Sequence, residues 1–115
     1  MTQQELAQAR LHFESGDLLR AQESFQRVLS DDASNKDALQ GLGVLAIRTG
    51  KMEEAVDYVQ RAIAADGVDA NLQSHLGVAL AGIERNDEAV AAFQRAIELN
   101  PKLQDAYYNL AKVYQ

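Results

Sequence analysis

Apolar residues recur along this chain at three- and four-residue steps, in short stripes separated by polar breaks, and the stripes themselves recur every 34 positions. Leu6, Ala9 and Phe13 form the first stripe; Leu18, Ala21, Phe25, Val28 and Leu29 form the second, after a break at Ser15-Gly16-Asp17. Such spacing predicts two amphipathic helices. Gly16 is expected to supply the left-handed residue that lets the chain reverse between them. Asp31 to Asn35 carry no apolar period and read as a connector, so one helix-turn-helix unit spans 2–35.

The second unit, 36–69, places Leu39, Leu42, Gly43 and Ala46 on its first helix and turns at Gly50-Lys51. Its second helix carries Met52, Ala55, Val56, Val59, Ala62 and Ile63 and ends at Asp66-Gly67. The third unit, 70–103, repeats the plan with Leu76, Gly77 and Leu80, then Ala89, Val90, Phe93, Ala96 and Ile97. Three rows 34 apart fix the register: Ala21, Ala55 and Ala89; Phe25, Val59 and Phe93; and the pairs Gln26-Arg27, Gln60-Arg61 and Gln94-Arg95. Glu84-Arg85-Asn86 replaces the turn glycine of the earlier units, and Asn86 is expected to take the positive dihedral there. Residues 104–115 restart the first-helix pattern with Tyr107, Leu110, Ala111 and Tyr114.

A period of this length means helical hairpins that bury their apolar faces by stacking. Gly43, Gly77, Ala55, Ala89, Ala62 and Ala96 are small where two helices of one hairpin must come close, and Phe25 and Phe93 are expected to fill the space between neighbouring hairpins. Leu76-Gly77, Leu80, Ala89, Phe93, Ala96 and Pro101 resemble the tetratricopeptide repeat (TPR) pattern over essentially the whole chain. The departures are Gln73 at the usual large aromatic, Gly67 and Ala33 in place of prolines, and Glu5, Gln8 and His12 at mostly apolar sites. The resemblance implies an all-α, right-handed α-solenoid of three hairpins plus a C-terminal helix, seven helices in a single domain over 1–115.

A solenoid's last helix is expected to be polar on its outer side, yet residues 104–115 keep the apolar set meant for a partner helix, while the first unit has polar substitutions that suit a terminus. The chain therefore reads as the N-terminal part of a longer bacterial array. A natural end capped by the last helix, and self-association through the Leu110 and Tyr114 face, stand beside that reading.

Composition narrows the function by exclusion. The net charge of −6 and the lack of a basic run disfavour nucleic acid and anionic membranes, which need a cationic footprint. No apolar run approaches a membrane span, and Met1-Thr2-Gln3-Gln4-Glu5 lacks the layout of a signal peptide, so a cytoplasmic site is expected. The chain has no cysteine, hence no thiolate nucleophile or thiolate metal site. His12 and His75 stand far apart, neither with a second ligand-type residue at metal spacing; His12 replaces a packing residue. The pairs Glu53-Glu54 and Asp87-Glu88 lie in the first turns of second helices, where the helix dipole favours a carboxylate by about 0.3 to 1 kcal/mol. No metal, cofactor or catalytic residue is expected, and Glu23 with Arg27 and Asp57 with Arg61 read as weak surface pairs.

What remains is a surface. The resemblance implies that first helices line a concave groove, onto which Leu6, Arg10, Phe13, Gln40, Val44, Ile47, Arg48, Ser74, His75, Val78, Ala81, Tyr108, Asn109 and Lys112 would project. The segments 38–47 and 72–81 are apolar nearly all round, which either full burial or an apolar groove explains. A charge clamp on a C-terminal carboxylate is disfavoured by Leu6, Gly41 and Val78 at central groove sites. The expected function is a protein-interaction scaffold taking a peptide or helix segment. The alternatives are an N-terminal substrate-presenting segment of a larger enzyme, resembling glycosyltransferases of the O-linked N-acetylglucosamine transferase kind, and a spacer or self-assembly module.

Overall fold

The structure, a computed structural model, describes residues 2–66 and 69–115. Among them are seven helices and no strand: α1 (Thr2–Glu14), α2 (Leu18–Asp31), α3 (Lys36–Arg48), α4 (Met52–Asp66), α5 (Ala70–Gly82), α6 (Asn86–Leu99) and α7 (Gln104–Tyr114). Of the expected break at Asp66-Gly67, α4 ends at Asp66; Gly67, also the stand-in for a proline, lies outside the described residues.

Side-chain caps fix the starts of α2, α3 and α5. Asn35 caps α3 by accepting the Ala38 N–H at 3.0 Å, and one period later Asp69 caps α5, accepting from Asn71 at 2.8 Å and Leu72 at 3.4 Å. Such caps satisfy N–H groups that the first turn leaves without helical partners. Asp69 also meets Lys36 Nζ at 3.1 Å, tying the start of α5 to the start of α3. Burial pushes the Asp69 carboxyl up, but the Lys36 hydrogen bond, the two capping N–H groups and the Lys36 charge together hold it below its ordinary value.

The hairpin turns need one left-handed residue each. Gly16 has φ 86° and Gly50 φ 80°, and the third turn uses Glu84 at φ 64° rather than Asn86, which begins α6. The register explains the correction: Glu84 is 34 residues after Gly50, so the turn keeps its phase and forces the residue there into the left-handed region. A residue with a Cβ loses about 1 to 2 kcal/mol in that region, offset in part by the unfolded-state freedom that glycine adds. Glu84→Gly is accordingly expected to raise stability by about 0.5 to 1 kcal/mol, measured as a higher urea midpoint at an unchanged slope.

The core runs as three connected clusters along an α-solenoid 42 × 25 × 23 Å in extent. Leu6, Ala9, Ala21, Phe25, Val28, Ala38, Leu42 and Leu45 form the first. Leu39, Val59, Ala62 and Leu72 form the middle one, and Ala46, Ala55, Val56, Ala79, Leu80, Ala89, Ala92 and Phe93 the last, with Leu110 and Val113 of α7 packed on it. The glycines make room for side chains of the second helices: a Cβ on Gly43 would stand 2.7 Å from Val59 Cγ2, and one on Gly77 2.6 Å from the Phe93 ring. Phe25 reaches across to the next hairpin, where its ring fills the place a Cβ on Gly41 would take. Phe93 covers Gly77 of its own hairpin as well as joining the cluster on which α7 packs.

On the outer face, Asp57 and Arg61 pair at 3.6 Å. Arg27 instead donates to Ser24 Oγ at 3.4 Å, so its expected pairing with Glu23 is replaced by a bond within the same turn.

Candidate functional site

The groove is built by α1, α3, α5 and α7, and its shape follows from what α2 and α6 place beneath them. A hollow of about 310 Å³ opens between α1 and α3, lined by Arg10, Phe13, Glu14, Phe25, Asp37, Gln40, Gly41 and Val44. A second, of about 270 Å³, opens between α5 and α7 and is lined by Val78, Ala81, Asn86, Phe93, Asn109, Lys112 and Val113. These are one site occurring twice, two periods apart: Arg10 and Val78, Phe13 and Ala81, Phe25 and Phe93, Gly41 and Asn109, and Val44 and Lys112 are each 68 residues apart. The phenylalanine from the second helix forms the floor each time. At the intermediate position the floor residue is Val59, and His75 is in phase with Gly41.

Eight of the residues expected to face the groove thus meet in these hollows, Arg10, Phe13, Gln40 and Val44 in one and Val78, Ala81, Asn109 and Lys112 in the other. Arg48 joins the first indirectly, its guanidinium 4.9 Å from the centre of the Phe13 ring. Tyr108 is exposed beside the second, with Lys112 Nζ 5.6 Å from its ring centre. Ile47 is half-buried and packs against the last core cluster.

Two expected groove residues do not line it. Leu6 is buried among Ala9, Ala21 and Phe25, because that side of α1 faces α2 and not the open surface. Ser74 is buried as well: α5 has α3 on one flank and α7 on the other, which closes a position that stays half-open at Gln40 on α3. Burial also accounts for most of the apolar character of α3 and α5, leaving Val44, Ile47, Val78 and Ala81 half-open. The residues that sequence reasoning missed are the floor and rim contributions of Glu14, Phe25, Asp37, Asn86, Phe93 and Val113. The signal for the floor was present, since Phe25 and Gly41 are in phase with Phe93 and Asn109.

Charge is segregated across the molecule. The first helices carry four acidic and four basic residues, and α5 none of either. The acidic surplus lies on α4, with four acids against Arg61, and on α6, with three against Arg95. Arg10 meets Asp37 at 3.7 Å across the mouth of the first hollow.

His75 is half-buried, and its Nδ1 is closed off from solvent without a hydrogen-bond partner. Burial lowers its pKa from the usual 6.5, against a smaller upward pull from the Asp69 charge. The folded chain thus binds this proton less readily than the unfolded chain does. Its contribution is intact above about pH 6.5 and is lost as the pH falls below that value, where only the unfolded state gains the proton. Urea unfolding at pH 7.5 and 5.5 is expected to show lower stability at 5.5, with a smaller drop in His75→Phe.

Among the described residues no three of His, Asp and Glu gather to hold a metal ion, and no helix is long and apolar enough to cross a membrane. The arrangement offers shape, apolar floor and hydrogen-bonding rim, which is binding chemistry.

Comparisons with known proteins agree with the repeat fold. The family model described as tetratricopeptide repeat matches residues 6–70, and one described as TPR repeat matches 84–115. Among solved structures, the chain is similar to a mutant of the O-GlcNAc transferase of Thermobaculum terrenum, at 28% identity and a TM-score of 0.92, over 97% of this chain and 22% of that one. It is similar to MamA at 31% identity and a TM-score of 0.85, over 92% of this chain and 62% of that one. The second TPR domain of human RPAP3, determined in complex with the HSP70 peptide SGPTIEEVD, superposes with a TM-score of 0.90 at 24% identity, over 96% of this chain and 92% of that one. The chain thus spans about a fifth of the transferase and about three fifths of MamA. No curated protein matches it significantly.

Proposed function

The chain belongs to the tetratricopeptide repeat family, and on that premise we propose that it is a protein-interaction scaffold whose concave groove takes a segment of a partner protein. The observation that carries this reading is the pair of in-phase hollows, each with a phenylalanine floor, along one row of helices. RPAP3, of the same fold, holds a chaperone peptide, which supports a peptide as the class of ligand. The groove set is Arg10, Phe13, Gln40, Val44, Ile47, Arg48, His75, Val78, Tyr108, Asn109 and Lys112, on repeats dividing at 2–35, 36–69, 70–103 and 104–115. The partner is met in the cytoplasm. A substrate-presenting role beside a catalytic domain rests on the transferase likeness alone, and that likeness covers 22% of the transferase, so it is the less favoured reading.

The test is affinity capture from the source organism's lysate with this chain and with Val44→Glu/Val78→Glu, the variant first confirmed helical by circular dichroism. A partner held by the parent is expected to bind the variant at least about tenfold more weakly, since each change puts a charge against an apolar contact. Equal capture by both proteins would overturn the groove as the binding surface.

A further inference from the structure

We propose that the groove is chemically directional: the hollow between α1 and α3 takes a bulky apolar side chain, and the hollow between α5 and α7 takes an acidic side chain of the same extended segment. This deepens the groove reading and rests on it. The two hollows share a phenylalanine floor and differ at matched positions. Where the first has no side chain at Gly41 and an aliphatic one at Val44, the second has Asn109 and Lys112. Gly41 brings no side chain, and the Phe25 ring packs into the place a Cβ would take, so this wall of the first hollow is apolar and carries no donor, which suits an apolar group.

The charges separate the two sites further. Arg10 is matched by Asp37, and Arg48 lies over the Phe13 ring, so the cations around the first hollow are engaged. Lys112 has the Tyr108 ring beside it and no carboxylate partner among the described residues. The amide side chains of Asn86 and Asn109 line the same hollow. An ammonium and two amide N–H2 groups are hydrogen-bond donors that a carboxylate accepts well, and a basic ligand side chain would be repelled there. Between the hollows α5 has no charge, and His75 fills the in-phase position.

Spacing follows from helix packing. Successive first helices at about 10 Å put equivalent sites about 20 Å apart, and an extended chain covers that in about six residues at about 3.3 Å each. The ligand is therefore a segment with an apolar residue and an acidic residue about six positions apart, uncharged between them.

A phage-displayed library of random twelve-residue peptides, selected on the full chain and on Lys112→Glu, tests this; Lys112 is exposed, so the variant keeps its fold. The expected result on the parent is an enriched apolar column and an acidic column five to seven positions from it. On Lys112→Glu the acidic column should vanish or turn basic. A selected peptide should also bind that variant at least tenfold more weakly, with binding restored when its acid is changed to lysine. Clones that lose binding in Val44→Glu/Val78→Glu but carry no acidic column, or one indifferent to Lys112→Glu, would overturn the directional assignment and leave the groove standing. If no clone is enriched, or the enriched clones ignore Val44→Glu/Val78→Glu, the groove reading falls and this assignment with it.

Discussion

Replacing Phe93 by alanine is expected to destabilise the chain by about 3 to 5 kcal/mol. Phe93 has no exposed surface, covers Gly77 on α5, and sits in the cluster that also receives Leu110 and Val113 of α7. Truncation would open a void that Gly77 has no side chain to fill, and the neighbouring alanines, fixed on helix backbones, cannot move in without shifting α6 itself. For a chain of this size the loss corresponds to a melting temperature lower by about 12 to 20 °C. Stability in stacked hairpins is nearly a sum of local terms, so the damage should concentrate in α5, α6 and α7. Amide hydrogen exchange is expected to quicken there while α2 keeps its protection. A fall below about 1 kcal/mol would mean that Phe93 is not the packing centre assigned to it.

Overfilling the same hairpin is expected to cost less but to reveal its geometry. Ala21, Ala55 and Ala89 recur with the period and all have zero exposure, marking the row where second helices lie closest to their neighbours. Ala89→Leu adds volume to a position without free space and is expected to cost about 1 to 3 kcal/mol through displaced rotamers and a shifted α6. The cost should shrink when combined with Phe93→Ala, since the leucine then has a void within reach, and coupling between neighbours is the signature of shared space. An unchanged melting temperature in the single variant would contradict close packing along that row.

Much of this fold was legible because the determinants of helix position are local and repeat. The hairpin breaks at Gly16 and Gly50 follow from residue type alone. Glu84 was missed because residue preference pointed to Asn86, while the period pointed to Glu84, and tertiary register prevailed over propensity. The groove was legible only as a face. Leu6 shares the helical spacing of open positions but turns toward α2, and Ser74 is closed by neighbours on both flanks, which no single-helix pattern can reveal. The hollows were illegible for a further reason: each floor comes from a second helix, Phe25 or Phe93, and each opening depends on what stands one hairpin later, Gly41 or Asn109. Their depth is set by pairs 16 residues apart, a distance at which neither amphipathic stripe carries information.

The most direct test of groove binding is a backbone amide chemical-shift map of this chain, titrated with a peptide recovered by groove-dependent selection. The account predicts the largest shifts at Phe13, Gly41, Val44, Val78 and Asn109, with the outer residues of α4 and α6 nearly still. Shifts confined to α4 and the outer side of α6, or to Tyr107 and Tyr114 of α7, would contradict it and place recognition on another face.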